Sequence, residues 1–361
     1  MKGTLARVEH WTGLNALLLI LALFIPAAII LEFSHASPTL ILAASAIAII
    51  PLAAMIGEGT EALAEKVGQR TGGLLNATLG NAAELIIAIV ALRAGLIDLV
   101  LASITGSILG NLLLILGLSL LIGGIRHGVQ HFNRANAGLD ATLLILAVFA
   151  LGIPSFFNLA LEPDFVRVEF LSIGVAIAIL VMYGLMLLYS FTAKTTEADP
   201  QAREAHPPSG WGTRHALIVL VVAVAFIALL SEFLVGAVEP VTEALGLSEF
   251  FLGIILIPLV GNAAEHFVAV QVAAKDKMDL ALSIAIGSSL QIALFVAPLL
   301  VFLSLLLGNP MPLEFTLYEV LAVAAASIIA AFVSLDGQSN WLEGAMLLVL
   351  YVILAVAFFF L

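Results

Sequence analysis

Glu84 and Glu265 are the two residues of this sequence best placed to do chemistry. Each closes the pentapeptide Gly-Asn-Ala-Ala-Glu, at Gly80–Glu84 and again at Gly261–Glu265. Each also follows an asparagine by three residues, Asn81 and Asn262, and that spacing sets the two side chains on one helix face. Both glutamates lie inside long apolar stretches, near the centre of 73–93 and a little past the centre of 248–274. A carboxylate at such depth in a membrane costs on the order of 3 kcal/mol unless it is paired, protonated or metal-bound. Gly80 and Gly261 precede the asparagines, and Pro258 lies three residues before Gly261. Such residues break a helix locally, free backbone carbonyls and admit a close partner. Two carboxylates, two amides and freed carbonyls form an all-oxygen ligand set. Oxygen suits a hard cation, and flexible coordination suits Ca²⁺ better than Mg²⁺. Emptied, two carboxylates close together in a poorly hydrated site take up protons. The same pair then binds a divalent cation or protons, but not both well, which is the physical basis of an antiporter. A single glutamate in an apolar helix is often structural, bonded to a neighbour. Two in one repeated motif argue against that.

The other polar groups within the apolar stretches leave alternatives open. Ser107 and Ser288 follow on the next apolar spans, as ligands or as small residues for tight helix packing. Asn111 and Gln291 are mid-span amides that could line a cavity. His266 follows Glu265 directly, as a proton relay or as an interhelical hydrogen-bonding group. Glu58 and Glu239 fall toward span ends, as funnel residues or as solvated helix ends. Asn76-Ala77-Thr78 matches a glycosylation acceptor but lies within a predicted span.

The elements that must position these groups are membrane helices. The 361 residues are 62% hydrophobic and 11% charged, with a mean hydropathy of +1.19, too little polar surface for a soluble domain. Apolar runs of about 20 residues recur end to end, the length a helix needs to cross a bilayer. A β-barrel would instead alternate over segments of about ten residues. Eleven spans are predicted, at 13–32, 38–65, 73–93, 97–123, 137–153, 165–192, 213–237, 248–274, 278–306, 315–334 and 341–361. With the N-terminus in the cytoplasm, Lys2, Arg7, Lys66, Arg70, Arg126, Arg134, Lys194, Arg203, Arg214, Lys275 and Lys277 fall inside, and only Arg93 and Arg167 outside. The external loops carry Glu32, Asp98, Glu162, Asp164, Glu239, Glu243, Glu249 and Glu314. The C-terminus is then external. There is no cysteine, which excludes disulfides and thiolate chemistry, and no basic block to bind nucleic acid.

The two pentapeptides are 181 residues apart, and the same ungapped offset aligns Asp98-Leu99 with Asp279-Leu280, Gly106-Ser107 with Gly287-Ser288, and Glu58 with Glu239. This reads as a duplication. It divides the chain into an N-terminal helix (1–37), a first repeat (38–192), a polar linker rich in Pro and Gly (193–212) and a second repeat (213–361). Each repeat holds an odd number of spans, so the second enters the membrane inverted. The fold class is an all-α polytopic membrane protein with two inverted five-helix repeats, the architecture of secondary transporters.

The stretches GNAAELIIAIVALRAG at 80–95 and GNAAEHFVAVQVAAKDKMDLALSIAIGSSLQIALFVAP at 261–298 resemble the two signature regions of the cation/proton exchanger (CAX) family, within the calcium/cation antiporter superfamily. The resemblance covers essentially the whole chain. It implies eleven helices with the first outside the repeats, ion coordination by Glu84 and Glu265 helped by Asn81 and Asn262, and transport of Ca²⁺ against H⁺ without a cofactor. The Thr-Ser-Pro-Glu type of motif of the sodium/calcium branch is absent. Many eukaryotic members carry a strongly acidic helix between the halves, whereas 193–212 here holds only Glu197, Asp199 and Glu204 among prolines and basic residues. The short termini resemble a prokaryotic member of the cytoplasmic membrane. Na⁺, K⁺ or Mn²⁺ in place of Ca²⁺ stays open, as does the oligomeric state. A channel is disfavoured by the paired, protonatable acids, and an intramembrane metalloenzyme by the lack of a His-Glu-x-x-His motif.

Overall fold

In lipid the backbone must satisfy its own hydrogen bonds, so long apolar runs become helices. The computed structural model describes residues 15–67, 72, 75, 76, 78–158, 165–192 and 211–361. Among these, nine helices are long and apolar enough to cross a bilayer: α1 (Ala16–Phe33), α2 (Pro38–Val67), α4 (Ile97–His127), α5 (Arg134–Asn158), α6 (Val166–Ser190), α7 (Thr213–Leu245), α10 (Met278–Leu307), α11 (Leu317–Ser334) and α12 (Trp341–Phe359). A tenth crossing is formed if the pair α8 (Glu249–Gly261) and α9 (Ala263–Ala273), bent by 61°, is counted as one span. The crossing expected over 73–93 contains α3 (Ala82–Arg93), while residues 73, 74 and 77 lie outside the described residues. The linker through residue 210, the N-terminal residues 1–14 and the acidic positions Glu162 and Asp164 lie outside them too. The fold is that of a helical integral membrane protein.

The 181-residue offset reappears in the elements. α4 begins at Ile97 and α10 at Met278, and each carries a π-helical turn, Gly110–Ile115 and Ile292–Val296, at nearly equivalent positions. Such turns widen a helix locally and recur at functional sites. The most extensive helix pair joins α2 to α7, the first helices of the two halves. It is close: a methyl on Gly59 of α2 would fall 2.8 Å from Leu220 Cγ of α7. α4 meets α8 with similar intimacy, Gly106 lying directly on the Ile254 carbonyl, as small residues permit in membranes.

One expectation is corrected. The fifth span continues through Pro154 to Asn158 rather than stopping before the proline. Membrane helices tolerate proline because neighbours meet the local polar groups, and here the next residue, Ser155, donates its hydroxyl to the Leu313 carbonyl.

The loops gather at two faces. At one, Arg93 pairs with Glu232 at 2.9 Å, Asn309 donates to the Leu92 carbonyl, and Asn158 donates to Glu314. At the other, two short strands that the sequence did not announce, β1 (Gln130–His131) and β2 (Gln338–Ser339), pair antiparallel.

Candidate functional site

Both pentapeptides form helix breaks. Asn81 is the N-cap of α3, with φ −95° and ψ 24°. Asn262 separates α8 from α9, with φ −91° and ψ 2°. Neither side chain caps its own helix, so both amides are free to face other elements. Glu84 and Glu265 stand in the first turns of α3 and α9. The positive ends of two helix dipoles therefore lie beside two carboxylates, which partly offsets their charge.

The two motifs face each other reciprocally. A methyl on Gly80 would lie 3.4 Å from Glu265 Oε1, and one on Gly261 would lie 2.8 Å from Glu84 Cγ and 3.4 Å from its Oε1. Each glycine thus leaves the space that the opposite glutamate fills.

The asparagines reach across the halves in the same reciprocal way. Asn262 Nδ2 donates to Ser107 Oγ at 3.3 Å, and Ser288 Oγ donates to Asn81 Oδ1 at 3.3 Å. Ser107 and Ser288 are repeat equivalents. Asn81 Nδ2 also donates to Gln291 Oε1 at 2.6 Å. Asn111 Nδ2 donates to Ser288 Oγ at 3.1 Å, and Asn111 Oδ1 lies 3.1 Å from His266 Nε2. The serines, both amides and His266 therefore belong to one cluster with the motifs. The Pro258 carbonyl, just before the second break, is not a spare ligand, because it accepts from Asn262 N at 3.0 Å and Asn262 Nδ2 at 3.2 Å. Glu58 and Glu239 differ from each other: Glu58 is half-buried within α2, and Glu239 is exposed near the end of α7.

What the cluster leaves unmet defines its chemistry. Both carboxylate oxygens of Glu84, Glu265 Oε2 and Asn262 Oδ1 are buried with no donor. Glu84 is 8% exposed and Asn262 1%. Buried acceptors of this kind cost about 1–3 kcal/mol each, more when charged, and a hard cation or protons would satisfy them. Among the described residues no three His, Asp or Glu side chains converge, so a cation here would draw its further ligands from amide and hydroxyl oxygens.

Glu319 carried no signal beyond the Thr316-x-x-Glu319 capping box. It is 3% exposed, its carboxylate accepting from Thr105 Oγ1 at 2.9 Å and from Thr316 N at 2.8 Å. Nearby, Asp98, Glu249 and Glu314 line a depression that opens between the start of α4 and the loop before α11.

A family model described as "Sodium/calcium exchanger protein" matches residues 37–192 and 215–360. The chain is 44% identical over 365 residues to a Ca(2+)/H(+) antiporter of Aphanothece halophytica, covering 96% of this chain and 97% of that one. It is 43% identical over 348 residues to the Ca(2+)/H(+) antiporter ChaA of Bacillus subtilis (strain 168), covering 95% and 98%. The solved structure of native YfkE superposes with a TM-score of 0.84 at 42% identity, over 95% of this chain and 100% of that chain.

Proposed function

The chain belongs to the sodium/calcium exchanger protein family, and on that premise we propose that it is a Ca²⁺/H⁺ antiporter whose Glu84 and Glu265 bind either one Ca²⁺ or protons. It is a transporter, not an enzyme, and Ca²⁺ is its cargo. The observation that carries the reading is the reciprocal carboxylate pair, Glu84 buried and Glu265 half-buried, three of whose four oxygens are buried with no donor. Two negative charges in that site are neutralised equally by one divalent cation or by two protons. Either neutral form can be carried through a low-dielectric core at modest cost, whereas the empty dianion is expensive to move. That penalty on the empty form enforces exchange instead of leak.

Asn262 Oδ1 and Asn81 Oδ1 serve as neutral ligand oxygens, with Ser107 and Ser288 orienting the amides. The acidic depression gathers cations at the outer face. In this reading 38–192 and 213–361 are the two inverted repeats, 1–37 is the extra helix and 193–212 the cytoplasmic linker. The protein resides in a prokaryotic cytoplasmic membrane with its N-terminus inside and C-terminus outside.

Purified protein in proteoliposomes tests the shared site. Lowering pH on the Ca²⁺ side protonates the pair, so the apparent Michaelis constant for Ca²⁺ should rise with little fall in maximal rate. A panel of Mn²⁺, Na⁺ and K⁺ in the same assay decides selectivity. A Michaelis constant indifferent to pH would separate the proton site from the cation site and refute the reading.

A further inference from the structure

The first half of the chain also grips the far end of the helix that carries Glu265. After α4 the backbone turns at Gly128, φ +78°, and β1 pairs with β2 in the register Gln130↔Ser339, His131↔Gln338. Gln130 is only 1% exposed despite its place in a connection. Its side chain lies flat on Gly123, where a methyl would collide with the amide. From there Gln130 Nε2 donates to the Ala273 carbonyl at 3.2 Å and to Asp276 Oδ1 at 2.8 Å.

Ala273 is the last residue of α9, and a helix end leaves its last carbonyls without helical partners. The Ala273 carbonyl takes one bond from Asp276 N at 3.1 Å and the other from Gln130. The next carbonyl, of Ala274, meets His127 Nε2 at 3.0 Å. Asp276 adopts φ +61°, a left-handed conformation that aspartate tolerates better than most side chains. Asp279, at the start of α10, accepts from Asn133 N at 2.5 Å. The end of α9 is therefore sealed by residues of the other half.

We propose that Gln130 is a positioning residue for transport. Through Ala273 and Asp276 it fixes the end of α9, and with it Glu265 at the other end of the same eleven-residue helix. Its bonds join the two halves, so they break whenever the halves shift against each other, and their strength sets the balance between the two access states. The proposal rests on Glu265 as an ion carrier and adds what holds that carrier in place.

The chain has no cysteine, so Ala264→Cys places a single reporter beside Glu265. A membrane-impermeant maleimide, applied to either side of oriented vesicles, reads how access is divided. Gln130→Ala should shift the ratio of labelling from the two sides about tenfold. Gln130→Glu keeps the size but sets a carboxylate against Asp276, and should shift it in the same direction. Asp276→Ala removes one of the two Gln130 bonds and should shift the ratio in the same direction but by less, and the double variant should add nothing beyond Gln130→Ala, as for residues of one unit. An unchanged ratio in both Gln130 variants, or full additivity with Asp276→Ala, overturns the proposal. Near-normal transport by Glu265→Gln in the same vesicles would instead overturn the role of Glu265 and the proposal with it.

Discussion

Replacing Glu84 or Glu265 by glutamine keeps the shape of the side chain and removes its charge and its proton. Each substitution should reduce Ca²⁺ uptake at least about a hundredfold, roughly 2.7 kcal/mol of lost stabilisation. The unfolding midpoint should not fall, because two like charges side by side do not stabilise a fold. Flux near the wild-type rate in either variant would place the ion elsewhere. The asparagines should behave less severely, since an amide supplies an oxygen but no charge. Asn262→Ala should raise the apparent Michaelis constant for Ca²⁺ about tenfold, and Asn81→Ala should raise it less. Asn262 Oδ1 has no donor, whereas Asn81 Oδ1 is already held by Ser288. Equal constants for both variants and wild type, measured by flux, would reduce the asparagines to helix breakers. Glu84 and Glu265 stood out in the sequence because the structural reading of one acid in an apolar run weakens when the same motif carries a second. Ser107 and Ser288 were not, since packing and bonding predict the same residue type. Only the fold reveals that each serine meets the asparagine of the opposite half.

Glycines decide how closely the elements approach, and they give predictions that separate packing from chemistry. Gly261→Ala places a methyl 2.8 Å from Glu84 Cγ and should displace the carboxylate, lowering uptake about tenfold or more while the protein stays folded. Gly106→Ala would drive a methyl into the Ile254 backbone carbonyl, forcing α4 from α8, and should cost about 1–3 kcal/mol or more. Gly184→Ala, with open space around it, should instead stabilise its helix by about 0.5–1 kcal/mol. Thermal unfolding in detergent should therefore order the two oppositely around wild type, and equal midpoints would contradict the close approach of α4 to α8. Helix existence was readable from apolar length, and the breaks at Asn81 and Asn262 from Gly and Pro beside an amide. The π-helical turns at Gly110–Ile115 and Ile292–Val296 left no compositional trace, because their apolar residues read as ordinary helix. The Gln130 grip on α9 was equally silent, joining residues 143 and 146 positions apart.

The whole molecule was the most legible scale, since lipid forces long apolar helices and the repeat offset orders them. Charge bias adds orientation: with the β1 and β2 face in the cytoplasm, Lys275, Lys277, Arg126 and Arg134 all lie on that side. Reporter fusions should find the N-terminus inside and the C-terminus outside, and both ends in the cytoplasm would refute the inverted arrangement. The same arrangement places one shared carboxylate pair between the halves, with no further acid converging on it among the described residues to hold a separate sodium ion. The account therefore predicts that protons alone can drive Ca²⁺ exchange. The most direct measurement is Ca²⁺ uptake into sodium-free proteoliposomes under an imposed pH gradient, acidic on the side opposite the Ca²⁺. The gradient should drive uptake by itself, and collapsing it with a protonophore should abolish that uptake. Uptake that requires a Na⁺ gradient and ignores pH would contradict the account, even with both glutamates essential.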